Sequence, residues 1–85
     1  MGRRRSEAEI LVDVLGVALK DVRLTYLMYG ANLSYSTLRR YLSAALDKGL
    51  VSKVNDSDGS VFYRTTDKGK ALMQKLRAAQ YSLFG

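Results

Sequence analysis

Residues Leu33–Val51 read LSYSTLRRYLSAALDKGLV, and this stretch decides the fold. Its apolar residues recur at helical spacing and are Leu38, Tyr41, Leu42, Ala45 and Leu46. Arg39 and Arg40 fall outside that apolar side, and no acidic residue precedes Asp47. The pattern predicts a helix that buries one side in a core and presents a cationic side outward.

Both ends of this helix are marked in the sequence. The hydroxyl of Ser34 can accept a hydrogen bond from a free backbone N–H of the first turn. Gly49 suits the left-handed conformation in which many helices end. We therefore expect a helix over about 34–48, followed directly by a strand.

A further helix is predicted at the start of the chain. Ser6-x-x-Glu9 forms a capping box, in which hydroxyl and carboxylate each satisfy a backbone donor. The core-facing stripe of this helix is Ile10, Leu11, Val14, Leu15 and Ala18. The helix is expected to end near Lys20.

A short second helix lies between these two. Asp21 is predicted to cap it, and Gly30 to end it in the left-handed conformation. Its inward residues are Leu24, Leu27 and Met28. Ala31–Leu33 then leaves room only for a tight turn before the third helix.

A hairpin and a last helix complete the chain. Leu50–Val54 and Val61–Arg64 alternate apolar and polar residues around a segment that contains an Asp-Gly pair, which predicts a β-hairpin. Thr66 can cap a final helix to about Leu83, slightly weakened by Gly69.

The order helix, helix, helix, hairpin, helix predicts a mainly α winged helix-turn-helix. At 85 residues the chain is expected to form one domain. We expect a disordered basic arm over 1–5, the winged domain over 6–66 and a dimerisation helix over 67–85.

Composition narrows the functional classes. Cys and His are absent, which removes the usual zinc ligands and most nucleophile–base pairs, so we expect neither an enzyme nor a cofactor or small-molecule ligand. The net charge of +6 favours a polyanionic partner. No apolar run reaches the roughly 20 residues of a membrane span, and acidic residues follow the basic start. We expect a cytoplasmic, nucleoid-associated protein.

Double-stranded DNA is the predicted partner. The residues expected to contact it are Ser34, Tyr35, Ser36, Arg39, Arg40, Ser43, Lys53, Arg64, Arg3, Arg4 and Arg5. Arginine reads guanine in the major groove and also binds phosphate, whereas the start of a helix favours phosphate. Asp56 and Asp58 would repel DNA, so the strands of the hairpin are expected to make any contact and its tip is not.

Other roles remain open for several of these residues. Arg39 and Arg40 could simply form a solvated face, and Ser34 could serve only as a cap. Tyr35 could stack on a neighbouring helix or donate its hydroxyl to phosphate. The arginine arm could enter a minor groove or bind nothing.

The last helix carries an apolar stripe at heptad spacing. The residues predicted to form a homodimer interface are Leu72, Met73, Leu76, Ala79, Leu83 and Phe84. The first half of the helix is expected to pack on its own domain. The second half extends beyond what one small domain can cover, which favours pairing with a second copy.

The chain resembles the archaeal dimeric winged-helix DNA-binding proteins of about ten kilodaltons. The resemblance rests on the run Met28–Tyr35, on Leu38 and Tyr41-Leu42, on Lys48-Gly49-Leu50, and on Tyr63-Arg64-x-Thr66-x-x-Gly69. It implies a homodimer joined by an antiparallel coiled coil of the last helices, which binds double-stranded DNA as a regulator or chromatin-type protein. The last helix is shorter than is typical of that family. The tip of the hairpin, which forms the wing of this fold, is acidic.

An alternative belongs to another functional class. The acidic tip and the apolar tail are also typical of a winged-helix module that binds another protein within a larger assembly. Such a module would have negligible affinity for DNA at moderate salt.

Overall fold

The computed structural model describes residues 4–80. Its elements are α1 (Glu7–Val17), α2 (Leu24–Gly30), α3 (Tyr35–Asp47), β1 (Val51–Asn55), β2 (Val61–Thr65) and α4 (Asp67–Gln80). This is the predicted order of three helices, a hairpin and a fourth helix, so the winged helix-turn-helix architecture is confirmed.

The capping box at the start of α1 is formed as predicted. The Ser6 hydroxyl accepts from the Glu9 N–H at 3.1 Å, and the Ser6 N–H donates to the Glu9 carboxylate at 2.7 Å. The helix ends at Val17, three residues before the predicted end. Ala18 follows it in the core, fully buried.

The helix α2 ends at Gly30 as predicted, but the predicted cap and the conformation predicted for Gly30 are wrong. Arg23, not Asp21, precedes the first residue of the helix, and it makes no side-chain cap. Gly30 is an ordinary residue of the helix, and the left-handed conformation falls on Asn32 (φ 55°). Gly30 is small for a different reason: a Cβ there would lie 2.8 Å from Cγ1 of Val17, so α1 and α2 touch at this point.

The predicted boundaries of α3 are correct. The Ser34 hydroxyl accepts from the Thr37 N–H at 3.3 Å, and Gly49 follows the helix with φ +72°. Leu38, Leu42 and Ala45 are buried, as their spacing predicts.

The hairpin pairs β1 and β2 in antiparallel register, from Val51 opposite Thr65 to Asn55 opposite Val61. A third segment joins it, because Val22 forms an isolated antiparallel bridge with Tyr63 through hydrogen bonds of 3.0 and 2.8 Å. No local pattern of residues indicates this bridge. It fixes the connection between α1 and α2 against the wing.

The core lies where the helices meet the first strand. Its most buried apolar residues include Val14, Leu15, Leu27, Leu38 and Ala45, and the hydroxyl of the buried Thr65 donates to the Leu15 carbonyl at 2.7 Å.

The start of α4 is packed against the end of α3. The Thr66 hydroxyl accepts from the Gly69 N–H at 3.0 Å, as a cap should, and donates to the Gly49 carbonyl at 2.6 Å. A Cβ on Gly69 would overlap the Leu50 carbonyl, so only glycine allows this approach. The helix is described to Gln80, and its predicted end at Leu83 lies outside the described residues.

Candidate nucleic-acid interface

The outer face of α3 gathers five of the eleven predicted contact residues into one shallow depression. Its lining residues are Tyr35, Ser36, Arg39, Arg40, Ser43, Ala44 and Asp47. The spacing of the sequence therefore placed Ser36, Arg39, Arg40 and Ser43 together correctly.

Arg39 is held by the tyrosine one turn before it. Its Nη1 donates to the Tyr35 hydroxyl at 2.9 Å, and its guanidinium lies 5.7 Å from the centre of the Tyr35 ring. Tyr35 itself is 53% exposed. It stacks neither on a neighbouring helix nor in the core, and its contact with Arg39 orients that side chain along the surface.

Arg40 is exposed and lies over the ring of Tyr41, 5.8 Å from its centre. Within residues 4–80, neither Arg39 nor Arg40 pairs with a carboxylate. Two adjacent guanidinium groups thus lie on a solvent-facing helix without a carboxylate partner in the described part of the chain.

Lys53 of β1 joins this surface. A cleft of about 240 Å³ between α3 and the hairpin is lined by Lys53 and Tyr63 together with Arg39 and Ser43. Side chains alternate between the two faces of a strand, and Lys53 lies opposite Tyr63 in the register, so both face α3. We call Tyr35, Ser36, Arg39, Arg40, Ser43 and Lys53 the cationic face.

Arg64 lies away from the cationic face, although it was predicted to contact DNA with the other residues. It neighbours Tyr63 and therefore points to the other side of the hairpin. There its Nε and Nη2 donate to the two oxygens of Asp21 at 2.5 and 2.9 Å. This bond lowers the pKa of Asp21 and raises that of Arg64. Arg64 is occupied by a carboxylate and serves to hold the wing.

Arg5, the last residue of the predicted basic arm, is bound to the body of the domain. Arg5 donates to Asp13 of α1 at 2.7 Å and to the carbonyls of Ala31 and Asn32 at 2.7 and 2.6 Å. Arg4 is exposed, and Arg3 lies outside the described residues. Arg5 is therefore a structural residue of the turn between α2 and α3.

The wing tip is closed on itself. The Ser57 and Ser60 N–H groups donate to Asp56 and Asp58 at 2.7 and 3.0 Å, and the Ser60 bond lowers the pKa of Asp58. Arg23 donates to the Ser60 hydroxyl at 3.2 Å and lies 5.3 Å from the centre of the Phe62 ring.

Arg23 was missed by the sequence interpretation, as were two tyrosines. Tyr26 and Tyr29 of α2 are 65% and 74% exposed. Their positions opposite Leu24, Leu27 and Met28 were the available signal. Tyr26 lines an open groove on the side of α1 and Phe62, away from the cationic face.

The predicted dimer residues fall into three groups. Leu72 and Leu76 are half-buried and line an open apolar groove of about 420 Å³ with Leu11 and Tyr41. Met73 is only 5% exposed and belongs to the core of the protomer, so little of its side chain is free for the predicted interface. Ala79 is exposed, and the other two predicted residues, at positions 83 and 84, lie outside the described residues.

Two searches of the described part of the chain, residues 4–80, gave negative results. No group of three or more acidic side chains is placed to hold a metal ion. No helix in that part has the length and apolar character that crossing a bilayer requires.

A model of a protein family described as winged helix-turn-helix matches residues 4–82. The chain belongs to the winged helix-turn-helix family. An uncharacterized protein from Methanocaldococcus jannaschii is 34% identical over 74 residues, which are 86% of this chain and 33% of that protein. This winged-helix chain therefore spans a third of the length of that relative.

Solved structures share the fold. The crystal structure of Sso10a-2, a DNA-binding protein from Sulfolobus solfataricus, matches with a TM-score of 0.80 and 27% identity over 88% of this chain and 78% of that one. A MarR family transcriptional regulator from Silicibacter pomeroyi matches with a TM-score of 0.63 and 29% identity over 85% of this chain and 52% of the other. The winged-helix chain thus shares its family and architecture with a DNA-binding protein and a transcriptional regulator, in agreement with the prediction that it is not an enzyme.

Proposed function

We propose that this protein binds double-stranded DNA as a homodimer, with α3 in the major groove, and acts as a transcriptional regulator or chromatin-type protein of the cytoplasmic nucleoid. In helix-turn-helix proteins the second helix of the motif enters the major groove. Here that helix is α3, and it carries the cationic face.

One observation carries the proposal: Arg39 and Arg40 are adjacent, exposed and unpaired with any carboxylate of residues 4–80. Structural arginines are usually bound to acidic groups or to backbone carbonyls, as Arg64 and Arg5 are here. A pair left charged on a groove-sized helix is suited to phosphate oxygens and to guanine O6 and N7.

The neighbouring residues add defined roles. Ser36 lies in the first turn of α3, where free N–H groups attract phosphate. Ser43 and Lys53 border the cleft beside Arg39, so the strand can reach a phosphate while the helix occupies the groove. Tyr35 limits the directions in which Arg39 can extend.

The comparisons support the choice of partner. Sso10a-2 is described as a DNA-binding protein, and the bacterial relative in fold as a transcriptional regulator. Charge supports it as well, because the excess of six positive charges would be neutralised on a polyanion.

Leu72 and Leu76 support the second half of the proposal. They leave an apolar groove open beside Leu11 and Tyr41, and a monomer would keep this groove in contact with water. A second α4 laid along it would cover the groove. Two copies would then present two cationic faces to one duplex, about 34 Å apart when they occupy successive major grooves.

The test is a titration of a fluorescent duplex, followed by anisotropy at several salt concentrations. The unaltered protein should bind with an affinity that falls linearly with the logarithm of salt concentration. Arg39→Ala combined with Arg40→Ala should weaken binding by about tenfold or more, since two phosphate or base contacts are lost.

The matched control removes two charges elsewhere. Lys20 and Lys70 are exposed, on the connection after α1 and on α4, and neither belongs to the cationic face. The double variant Lys20→Ala with Lys70→Ala has the same net charge as the double arginine variant, but it should weaken binding far less. Equal losses in the two double variants would mean that net charge, not α3, carries the binding.

A second candidate function is a protein-binding winged-helix module. The exposed Tyr26 and Tyr29 favour it, because tyrosine is enriched in protein interfaces. It predicts no binding to the duplex at moderate salt and a complex that Tyr26→Ala with Tyr29→Ala disrupts. The same double substitution should leave DNA binding unchanged if the first proposal is correct.

A further inference from the structure

The turn between α2 and α3 fixes where the cationic face begins. Three backbone bonds close it: Ala31 N–H to Leu27, Asn32 N–H to Tyr29, and Leu33 N–H to Met28, at 3.0, 3.1 and 3.0 Å. Each of these satisfies a donor of the turn. The carbonyls of Ala31 and Asn32 accept none of these backbone bonds and need other partners.

Arg5 supplies both partners. Its Nη1 and Nη2 donate to these two carbonyls at 2.7 and 2.6 Å, and Nη1 also donates to Asp13 at 2.7 Å. The Arg5 side chain is 30% exposed. One planar group thus joins the N-terminal segment, α1 and the turn.

The contact of Arg5 lies just before the start of α3, so it can influence the position of that helix. Asn32 has φ 55°, a conformation that non-glycine residues adopt rarely, and Ser34, the cap of α3, follows two residues later. A cation at the carbonyl end of α2 also complements the helix dipole. A shift of the Asn32 backbone would move the start of α3 directly.

We propose that Arg5 is a positioning residue for DNA binding: clamped by Asp13, it fixes the turn that sets the position of α3, and it does not itself contact the duplex. The proposal rests on the proposed function. It replaces the expectation that Arg5 belongs to a free DNA-binding arm.

A conservative substitution separates position from charge. Arg5→Lys keeps the positive charge but cannot hold two carbonyls and a carboxylate with a planar fork. We expect it to weaken duplex binding by about fivefold, the effect of losing one net hydrogen bond at the turn. Arg4→Lys is the matched control, because Arg4 is exposed one residue earlier, and it should leave binding unchanged.

Substitution of Asp13 gives a second test, in which electrostatics alone and the proposed clamp predict opposite changes in DNA affinity. Asp13→Asn removes a negative charge, which by electrostatics alone should tighten binding to a polyanion. Release of the Arg5 clamp should instead weaken it by about threefold. The control is Asp47→Asn, which lines the same depression as the cationic face. Asp47 has no ion-pair partner among residues 4–80, and its substitution should tighten binding slightly.

Affinities are measured by anisotropy on the same duplex, at a temperature where circular dichroism shows every variant fully folded. Amide hydrogen exchange at Asn32 and Leu33 provides a second readout, which should speed up in Arg5→Lys and not in Arg4→Lys. The double variant Arg5→Lys with Asp13→Asn should lose less binding free energy than the sum of the two single losses, because both substitutions act on the same contact.

The outcomes are distinguishable. Unaltered protein that fails to bind the duplex at low salt overturns the proposed function and this inference with it. Normal binding by the unaltered protein, with Arg5→Lys equal to Arg4→Lys and Asp13→Asn tighter than the unaltered protein, overturns the inference alone.

Discussion

The two oxygens of Asp21 hold the guanidinium of Arg64, at 2.5 and 2.9 Å. This ion pair joins the connection after α1 to the second strand of the wing, beside the bridge between Val22 and Tyr63. Two neighbouring residues of β2 therefore have different roles. Tyr63 lies on the side of the cationic face, and Arg64 binds the hairpin to the connection after α1.

Lys53 and Arg64 should consequently differ in their effect on DNA binding. Lys53→Ala should weaken binding and reduce the salt slope by about 0.9, the value for one phosphate contact. Arg64→Ala removes the same charge but should leave the slope unchanged, because its guanidinium is held by Asp21. A titration from low to moderate salt measures both slopes. A reduced slope in Arg64→Ala would place that residue on the DNA after all.

The ion pair also predicts a pH dependence. The bond from Arg64 lowers the pKa of Asp21 below its ordinary value of 3.8. The unfolded state therefore binds a proton more readily than the folded state does, and the stabilisation is present above pH 3.8 and lost as the pH falls through the lower folded pKa.

Asp21→Ala should accordingly unfold at lower urea concentration than the unaltered protein near neutral pH. The difference should be small, because the pair is solvent-exposed. It should close as the pH falls below 3.8, in chemical denaturation at a series of pH values. A difference that persists unchanged in strong acid would assign the stabilisation to packing.

Gly69→Ala tests the contact between α4 and the end of α3. An added methyl group would overlap the Leu50 carbonyl, so we expect a loss of about 1–3 kcal/mol in unfolding free energy, the usual cost of overpacking. Gly16→Ala is the control within another helix. A Cβ there lies 3.4 Å from Nη2 of Arg77, an ordinary contact, so this change should be neutral or stabilising by up to about 1 kcal/mol. Similar shifts for both variants would argue against the close approach.

The proposed dimer depends on the groove beside α4. Leu76→Glu places a charge in it and should convert the protein to a monomer of 9.5 kDa, whereas Lys75→Glu, on an exposed neighbouring position, should leave a particle of twice that mass. Sedimentation equilibrium measures both, with circular dichroism to verify folding. A monomeric unaltered protein at high micromolar concentration would contradict the dimer.

Local rules in the sequence predicted the elements well. Ser6 with Glu9, Ser34, and Gly49 each act within one turn of a helix, so their neighbours along the chain determine their role. The apolar spacing of α3 also fixed which side of it is buried, and with that the position of Arg39.

The contacts that the sequence did not predict share a different origin. Arg5 and Arg64 look like free cations in the sequence, and each is bound by groups 8 to 43 residues away. Gly30 is small because of Val17 on another helix, and Gly69 because of a carbonyl at the end of α3. Contacts of this kind depend on the tertiary arrangement, which no local pattern encodes.

Met73 shows the same limit at the other end of the chain. Heptad spacing predicts one apolar stripe on α4 but not where that stripe passes from the core to the surface. Met73 lies on the core side, and Leu76, three residues later, on the open groove.

The bonds between the end of α3 and the start of α4 make these helices a stiff bracket. The carbonyls of Lys48, Gly49 and Leu50 accept in turn from the Lys68 side chain, the Thr66 hydroxyl and the Thr66 N–H, at 2.8, 2.6 and 2.9 Å. In a dimer joined through α4, this rigid junction would set the distance and the angle between the two α3 helices. One residue inserted in the middle of α4 turns the following stretch by about 100°. With such an insertion each protomer could still contact a duplex, but the two protomers could no longer bind it at the same time. The insertion would therefore distinguish DNA binding by single protomers from binding by the dimer.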